Sequence, residues 1–214
     1  MKHKTIQTEL GDKVPRRGNK FTEWLGIFVL WITGWRVVGA FPNISKAVVI
    51  GAPHTSNWDA VYVIAAALAL RIKVQIMAKD TVFKPPFGGF MRWLGGIPVD
   101  RSSSHGVVHQ SVSAIKSNEQ MFLGLSPEGT RSGAKEWKSG FYVIAHAAQV
   151  PILVTVVDYG KKEIRFADTV IPSGDYQQDY PKIVELYRGV EACHPKLMSA
   201  PLQALRKYNN VNKN

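Results

Sequence analysis

A histidine and an aspartate stand five positions apart in the first third of the chain, as His54 and Asp59. On one continuous helix this spacing turns two side chains about 140° apart, so they could not meet. They meet only if His54 lies in a loop and Asp59 in the first turn of the helix that follows. The sequence allows this, because Pro53 excludes a helix before the loop and Ser56 is a good N-cap residue.

A histidine next to an aspartate can act as a general base supported by a carboxylate. A neutral imidazole is available as a base near neutral pH, and a carboxylate bonded to its far ring nitrogen fixes the tautomer and stabilises the imidazolium that forms. A structural interpretation competes with this one. Ser56 and Asp59 also have the spacing of a capping box, in which Asp59 only satisfies backbone donors at the start of the helix.

Two further charged segments come after predicted strands. Asp100 and Arg101 follow one apolar segment, and residues 126–131 follow another. If these strands run parallel to the one before His54, their loops lie at one edge of the sheet, where α/β proteins bind ligands. The sequence therefore predicts one cleft that holds a histidine, carboxylates and at least two arginines.

The elements that position these loops alternate along the chain. Short apolar runs predict buried strands at residues 47–51, 74–78, 96–100, 120–125 and 152–158, with an antiparallel neighbour at 163–167. Helices are predicted at residues 58–72, 86–94, 104–118 and 138–149, and in a tail from 181 that is broken near 194–195. This alternation indicates an α/β fold, a single domain at residues 45–214 with a mostly parallel central sheet flanked by helices.

The amino-acid composition excludes some classes of protein but does not identify a function. Hydrophobic residues make up 45% and charged residues 20%, so wholesale disorder is excluded, and the net charge of +11 suits a polyanionic partner. The single cysteine, Cys193, excludes a disulfide framework and a cysteine-rich zinc site, and it lies far along the chain from the other candidate residues. His105 and His109 could share a helical face, but no third ligand is near, so we expect no metal site.

Residues 1–44 combine a basic segment with an uncharged run whose aromatic residues recur every three or four positions. This spacing predicts one aromatic face of an amphipathic helix. The face consists of Trp24, Phe28, Trp31 and Trp35. The run 24–35 would span about 18 Å as a helix, less than the roughly 30 Å of a hydrocarbon core. The pattern favours a membrane-interfacial helix on an anionic surface, peripheral or monotopic at the cytoplasmic face. There are two alternatives. The aromatic face could pack against the domain, or the helix could extend to residue 40 and span the membrane.

Four segments resemble the sequence blocks of the glycerolipid acyltransferases, the 1-acylglycerol-3-phosphate acyltransferase superfamily. His54 to Asp59 looks like the His-x-x-x-x-Asp motif, and residues 79–101 look like the second block, which carries a lysine and ends in Asp-Arg. Residues 127–131 and 150–152 resemble the third and fourth blocks. Order and spacing agree across roughly residues 45–155, so the chain is identified as similar to this superfamily.

The resemblance implies an O-acyltransferase of the glycerolipid type. A fatty acyl group would move from acyl-CoA or acyl carrier protein to the hydroxyl of a lysophospholipid, above all 1-acylglycerol-3-phosphate, with no further cofactor. His54 would be the general base and Asp59 its partner, and no covalent enzyme intermediate is needed because the acceptor hydroxyl is the nucleophile. The residues expected to bind substrate are Ser56, Lys79, Arg101, Glu128, Gly129, Thr130 and Arg131.

The cationic residues in this set are expected to hold the phosphate of the acceptor. Arginine presents a planar fork to phosphate, so Arg131 and Arg101 are the expected clamps, with Lys79 as a point charge. Glu128 has two interpretations. It either bonds the other hydroxyl of the acceptor or pairs with Arg131 as scaffold.

Two alternatives remain open from the sequence. The same chemistry could act on another acceptor, either a different lysophospholipid or an amino-acid-derived lipid. The chain could instead be a non-catalytic basic protein that binds nucleic acid or an anionic membrane. This alternative is disfavoured, because lysines and arginines are scattered along the chain and the aromatic cluster lies in an apolar run. The expected partners are therefore a lysophospholipid, an acyl thioester and an anionic membrane surface, without nucleic acid.

Overall fold

The computed structural model describes residues 5–86, 88–93, 95–99 and 104–211. Its strands are β1 (Arg36–Val38), β2 (Lys46–Ala52), β3 (Val74–Lys79), β4 (Gly96–Val99), β5 (Met121–Leu125), β6 (Ile152–Asp158) and β7 (Glu163–Val170). They form one sheet in the order β1-β7-β6-β2-β5-β3-β4. All neighbouring pairs are parallel except β6 and β7, so the predicted mostly parallel sheet with its antiparallel neighbour is confirmed.

Helices cover both faces of this sheet. In chain order they are α1 (Lys20–Thr33), α2 (Asn57–Ala69), α3 (Gly88–Trp93), α4 (Ser104–Ser117), α5 (Gly140–Ala148), α6 (Tyr176–Glu185) and α7 (Ala200–Val211). α1 and α2 share one apolar core with the sheet, and α4 to α7 share the other. Among the helices described, none has the length and apolar character needed to cross a bilayer.

Strands at the centre of the sheet explain the apolar runs seen in the sequence. β6 is buried at all seven of its positions, as a strand with helices on both faces must be. In β2 the side chains alternate, so Val48 and Ile50 face α4 to α7, whereas Val49 faces α2. Because β2, β5 and β6 run parallel, their carboxyl ends meet at one edge, and the following loops converge there as predicted.

The helix predicted over the aromatic run ends earlier than its periodicity indicates. Asn19 caps its start, and Gly34, at a φ of 76°, ends it in a left-handed turn. Trp35 is consequently off the helix and only 2% exposed, and its ring stacks on Tyr62 with 4.1 Å between centroids. The prediction that Trp35 shares the aromatic face is wrong. The three- to four-residue spacing reaches Trp35, but Gly34 ends the helix before it.

Two further elements differ from expectation. β1 was not predicted, since three residues are too few for a periodic signal, yet it pairs with β7 at the edge of the sheet. α6 begins at Tyr176 rather than at residue 181, because the side chain of Asp175 caps it by accepting backbone N–H groups. The predicted break between two helical pieces is present, but it is longer than expected: α6 ends at Glu185, and only a short 3-10 turn, Pro195–Leu197, comes before α7.

Candidate active site

The histidine and aspartate of the first loop meet at the carboxyl edge of the sheet. β2 ends at Ala52, His54 lies in the loop, and α2 begins after Ser56 as its N-cap. His54 Nδ1 lies 3.2 Å from Asp59 Oδ2, and because a carboxylate only accepts, Nδ1 carries the proton. Nε2 is left as the basic nitrogen of the ring. The side chain of His54 is 29% exposed, whereas Asp59 is 2% exposed.

Asp59 also completes the capping box, so one carboxylate serves both geometries. Its Oδ2 accepts the backbone N–H groups of Thr55 and Ser56 at 2.7 and 2.8 Å. Its Oδ1 accepts the hydroxyl of Tyr159 at 2.7 Å. Burial opposes ionisation of Asp59, but the hydrogen bond from His54 and these three together outweigh it. The pKa of the Asp59 carboxyl therefore lies below its ordinary value.

Tyr159 is a site residue that the sequence analysis missed. It follows β6 directly, and its ring packs edge-on against Trp35 at 4.9 Å and Tyr62 at 6.0 Å between centroids. Burial and the hydrogen bond to Asp59 raise the pKa of the Tyr159 hydroxyl, which stays protonated as a donor. Its partner Asp59 is 100 positions away, so the only signal in the sequence is its place after an apolar strand.

Glu128 is buried beneath the backbone of His54, with 2% of its surface exposed. Its carboxylate accepts the backbone N–H of His54 at 2.5 Å and that of Ser199 at 3.3 Å. Burial raises the pKa of the Glu128 carboxyl, although the hydrogen bonds from Ser199 and His54 oppose this shift. Within the described residues no ion pair joins Glu128 to Arg131. The contacts match a scaffold whose partner is the main chain of His54.

The rest of the loop after β5 is exposed. Gly129 adopts a φ of 64°, and a side chain added there would come within 2.9 Å of the carbon stem of Lys138. Thr130 Oγ1 accepts the backbone N–H of Ser132 at 3.2 Å. Arg131 and Lys138 thus add two exposed cations at this edge. The sequence analysis named Arg131 and missed Lys138, which the turn at Gly129 brings over the loop.

The other three predicted binding residues are Ser56, Lys79 and Arg101, and the structure describes them to different extents. Ser56 is engaged in the helix start, where its hydroxyl accepts the backbone N–H of Trp58 at 3.2 Å. Lys79 ends β3, whose carboxyl end lies at the same edge of the sheet. The side chain of Lys79 and the whole of Arg101 lie outside the described residues.

A segment near the end of the chain crosses this edge and ties both loops down. The backbone N–H of His194 donates to Thr55 Oγ1 at 3.2 Å, and that of Ser199 donates to Glu128. Trp137 Nε1 donates to the hydroxyl of Ser199 at 2.9 Å, which anchors the segment to the core. The first two bonds join residues 139 and 71 positions apart, so no local pattern reveals them.

The same segment brings Cys193 to the site. Its thiol is close enough to Tyr159 to contribute to the raised pKa of that hydroxyl, and it lies 3.8 Å from His194 Nε2. The expectation that Cys193 is remote from the candidate residues is wrong in space. The reason is that the chain returns to the carboxyl edge of the sheet between α6 and α7.

An apolar cavity of about 190 Å³ lies between α2 and the sheet, and His54 and Asp59 line one end of it. Small residues make room for it, among them Gly51, Gly124 and Ala66. A side chain added at Gly51 would meet no atom within 4 Å, so β2 leaves the cavity open next to the histidine loop. The cavity is suited to an apolar chain.

These parts together can remove a proton from a hydroxyl group on a molecule that carries, or reacts beside, an apolar chain. Nε2 of His54 is placed to accept such a proton, Asp59 is its ionised partner, and exposed cations at the rim can attract an anion. Over the part of the chain that the structure describes, no group of three His, Cys, Asp or Glu side chains could hold a metal ion.

Comparison with known proteins gives results in line with this geometry. The family model described as Acyltransferase matches residues 36–158. A 1-acyl-sn-glycerol-3-phosphate acyltransferase of Streptococcus pneumoniae (strain ATCC BAA-255 / R6) is 30% identical over 136 residues, which cover 60% of this chain and 50% of that protein. The chain thus spans about half the length of the curated relative that it matches.

A solved structure is also similar. The crystal structure of the 1-acyl-sn-glycerophosphate (LPA) acyltransferase PlsC from Thermotoga maritima superposes with a TM-score of 0.57 at 17% identity. The superposition covers 89% of this chain and 79% of that one. At this identity the likeness concerns the fold, an α/β domain with a mostly parallel seven-stranded sheet.

Proposed function

The chain belongs to the Acyltransferase family, and we propose that it transfers a fatty acyl group from an acyl thioester to the hydroxyl of a lysophospholipid. The leading acceptor is 1-acylglycerol-3-phosphate, because the similar Streptococcus protein is an acyltransferase of that substrate. The observation that carries the proposal is the His54–Asp59 pair at the end of an apolar cavity.

The proposed reaction uses His54 as general base. As the acceptor oxygen attacks the thioester carbonyl, its proton moves to Nε2 of His54. The new C–O bond forms, the C–S bond breaks, and the proton on Nε2 passes to the leaving thiolate. Asp59 is ionised and bonded to Nδ1, so it stabilises the imidazolium during the transfer. Acyl-CoA and acyl carrier protein both supply such a thioester.

Two parts of the site would hold the substrates. The apolar cavity would take the acyl chain, since its walls are mostly carbon and His54 lines one end of it. The exposed cations at the rim, Arg131 and Lys138, would hold the acceptor phosphate, together with Lys79 and Arg101 from the second sequence block. With this division, the acceptor hydroxyl would lie between the phosphate site and the base.

We further propose that α1 attaches the protein to an anionic membrane surface, peripherally and at the cytoplasmic face. Phe21, Trp24 and Trp31 are 67%, 53% and 50% exposed. Their rings form a ladder with Phe28, in which Trp24 and Phe28 stack at 5.3 Å between centroids. Exposed aromatic rings on one helix face favour the interface between headgroups and acyl chains.

The apolar face of α1 lies next to the site and next to a basic groove. α1 and α2 pack antiparallel, since Gly26 lies against Ala69 while Trp35, just beyond α1, stacks on Tyr62. The end of α1 is therefore near the start of α2, where Trp58 is 58% exposed beside the histidine loop. At the opposite end, a groove of about 660 Å³ carries only cationic charges among its described lining residues. These are Arg17, Lys73 and Arg92.

The acyltransferase proposal is tested by product formation across a panel of acceptors. The donor for the purified protein in detergent would be acyl-CoA or, in a parallel series, acylated carrier protein. The acceptors would be lysophosphatidic acid, other lysophospholipids and lyso-amino-acid lipids. We expect esterified product with lysophosphatidic acid. Product with a different acceptor alone would keep the chemistry and replace the acceptor. Failure of every acceptor with both donors would contradict the proposal.

The membrane proposal is tested by sedimentation with vesicles of phosphatidylglycerol and phosphatidylcholine. The double variant Trp24→Ser/Trp31→Ser should bind at least about tenfold less, because it removes two apolar rings from the interface. Ile171→Ser is the matched control, since Ile171 is 78% exposed and belongs to neither α1 nor its groove. Equal sedimentation of the double variant and the control would contradict the proposal.

A further inference from the structure

Two buried hydroxyls in the apolar cavity have no hydrogen-bond partner within the described residues. They are Ser126 Oγ and Thr155 Oγ1. Thr155 is only 4% exposed, and both residues line the cavity. Most buried polar side-chain atoms in proteins are hydrogen-bonded, so two orphans in one cavity need an explanation.

The strand register brings the two hydroxyls to one level of the sheet. Gly51 of β2 pairs with Thr155 of β6 on one side. On the other side Ile50 pairs with Leu125, the last residue of β5, so Ser126 comes next and is level with Gly51. Gly51 has no side chain, and the space beside it is empty to 4 Å. Ser126 and Thr155 therefore flank a gap at Gly51.

This gap lies near the catalytic end of the cavity. Gly51 precedes His54 by three positions, and His54 itself lines the cavity. A chain bound in the cavity with its reacting carbon at His54 thus has its first few carbons near the gap. A hydroxyl can donate as well as accept, so an oxygen on those carbons can take a hydrogen bond from an orphan hydroxyl beside the gap.

We propose that Ser126 and Thr155 form a polar subsite for a hydrogen-bonding oxygen at the head of the acyl chain. The inference rests on the proposed function, which puts that chain in the cavity. The shared chemistry is an oxygen acceptor within the first carbons. It has two sources, the carbonyl oxygen of the thioester and a hydroxyl on the third carbon of a 3-hydroxyacyl chain.

The binding test separates these sources without requiring turnover. Three probes are compared by their Kd for the full chain in the absence of an acceptor: lauroyl-CoA, 3-hydroxylauroyl-CoA and the S-dodecyl thioether of CoA, which lacks the carbonyl oxygen. An oxygen that reaches the subsite should tighten binding roughly three- to tenfold over the thioether. If the carbonyl is the ligand, both thioesters gain equally. If the 3-hydroxyl is the ligand, only the 3-hydroxy probe gains.

The double variant Ser126→Ala/Thr155→Val should abolish whichever preference the wild type has, while leaving the thioether Kd unchanged. Equal binding of all three probes by the wild type, or a preference that survives in the double variant, would overturn the subsite. Absence of binding by all three would instead contradict the acyl cavity of the proposed function, and the subsite with it. The two failures are thus distinguishable.

Thermal stability gives a second measurement. Removing an unpartnered buried hydroxyl should not destabilise the ligand-free protein, and Thr155→Val should raise its Tm by about 2–4 °C. The matched control is Thr33→Val, because the hydroxyl of Thr33 donates to the carbonyl of Val29 at 2.7 Å. This control should not gain stability. A lower Tm for Thr155→Val would mean that its hydroxyl already has a partner, contrary to the proposal.

Discussion

Two buried carboxyl groups lie beside His54, and their surroundings shift their pKa values in opposite directions. Asp59, after β2, receives hydrogen bonds from two side chains and two backbone N–H groups, and the pKa of its carboxyl lies below the ordinary value. Glu128, after β5, is bonded by Ser199 and by the backbone of His54, and the pKa of its carboxyl lies above the ordinary value. Both residues are 2% exposed.

Both carboxyl groups have little exposed surface, but the hydrogen bonds to Asp59 together outweigh the cost of desolvation, whereas those to Glu128 do not. Asp59 is bonded by the ring of His54 and by the hydroxyl of Tyr159, and these donors compensate for lost solvation. Glu128 touches the main chain of His54 and has less compensation. One loop therefore keeps a negative charge available to the imidazole, whereas the other fixes the position of its backbone.

Replacing each carboxylate by its amide should separate these roles, with the larger loss at Asp59. Asp59→Asn removes the charge that supports the imidazolium and lets the amide favour the wrong tautomer, so we expect kcat to fall roughly a thousandfold. Steady-state kinetics measure this. Asp168→Asn is the control, because Asp168 is an exposed carboxylate on β7. A kcat within threefold of the wild type would remove Asp59 from the reaction.

Tyr159→Phe should lower kcat about tenfold with little change in KM, since one donor to Asp59 is lost while the ring stays packed. Tyr62→Phe removes a hydroxyl from the same ring cluster and should leave kcat near the wild-type value. Combining Tyr159→Phe with Asp59→Asn should add almost no further loss if Tyr159 acts through Asp59. Losses that multiply in the double variant would refute that route.

Glu128→Gln should have the smallest kinetic effect, a decrease in kcat of less than about threefold. The amide keeps one oxygen, which can accept the backbone N–H of His54 and hold its loop, while the weaker bond from the backbone of Ser199 is lost. Glu128→Ala removes this acceptor and should lower the free energy of unfolding by about 1–3 kcal/mol. If Glu128→Gln were as damaging to kcat as Asp59→Asn, Glu128 would have to contact the reacting groups.

The pH dependence of stability should differ in sign between the two carboxylates. The pKa of Asp59 is lowered from 3.8, so its ionised form stabilises the fold above about that pH, and this contribution is lost as pH falls through the folded pKa. The pKa of Glu128 is raised from 4.5, so its contribution is present below that pH and is lost as pH rises through the folded pKa.

Chemical denaturation of both amide variants from pH 3 to pH 8 measures this difference. The quantity compared is the free energy of unfolding of the wild type minus that of the variant. For Asp59→Asn this difference should grow as the pH rises towards about 4. For Glu128→Gln it should shrink as the pH rises above about 4.5. Parallel curves for the two variants would show that the pKa values of the two carboxyl groups are not shifted in opposite directions.

The sequence was sufficient where the determining contacts are local. The meeting of His54 and Asp59 follows from a loop, an N-cap and one helical turn, all within a few residues. The parallel sheet follows from short apolar runs that alternate with helical segments. Gly34 is also a local signal, but the aromatic period continues past it to Trp35, so periodicity alone does not reveal that the helix ends there.

The rest of the site depends on contacts that no local pattern encodes. Tyr159 reaches Asp59 across 100 positions, and Ser199 reaches Glu128 across 71. Cys193 comes to the site only because the chain returns to the same edge of the sheet. The sequence does not show that the hydroxyls of Ser126 and Thr155 lie on either side of Gly51, because this depends on the register of three strands.

The central claim is that Nε2 of His54 removes the proton of the acceptor hydroxyl. The most direct measurement is the single-turnover rate of ester formation by wild type and His54→Ala, with saturating acyl thioester and lysophosphatidic acid and with melting curves recorded for both. A variant that melts like the wild type should form ester roughly a hundred- to ten-thousandfold more slowly. A correctly folded His54→Ala protein that forms ester at near the wild-type rate would contradict the claim.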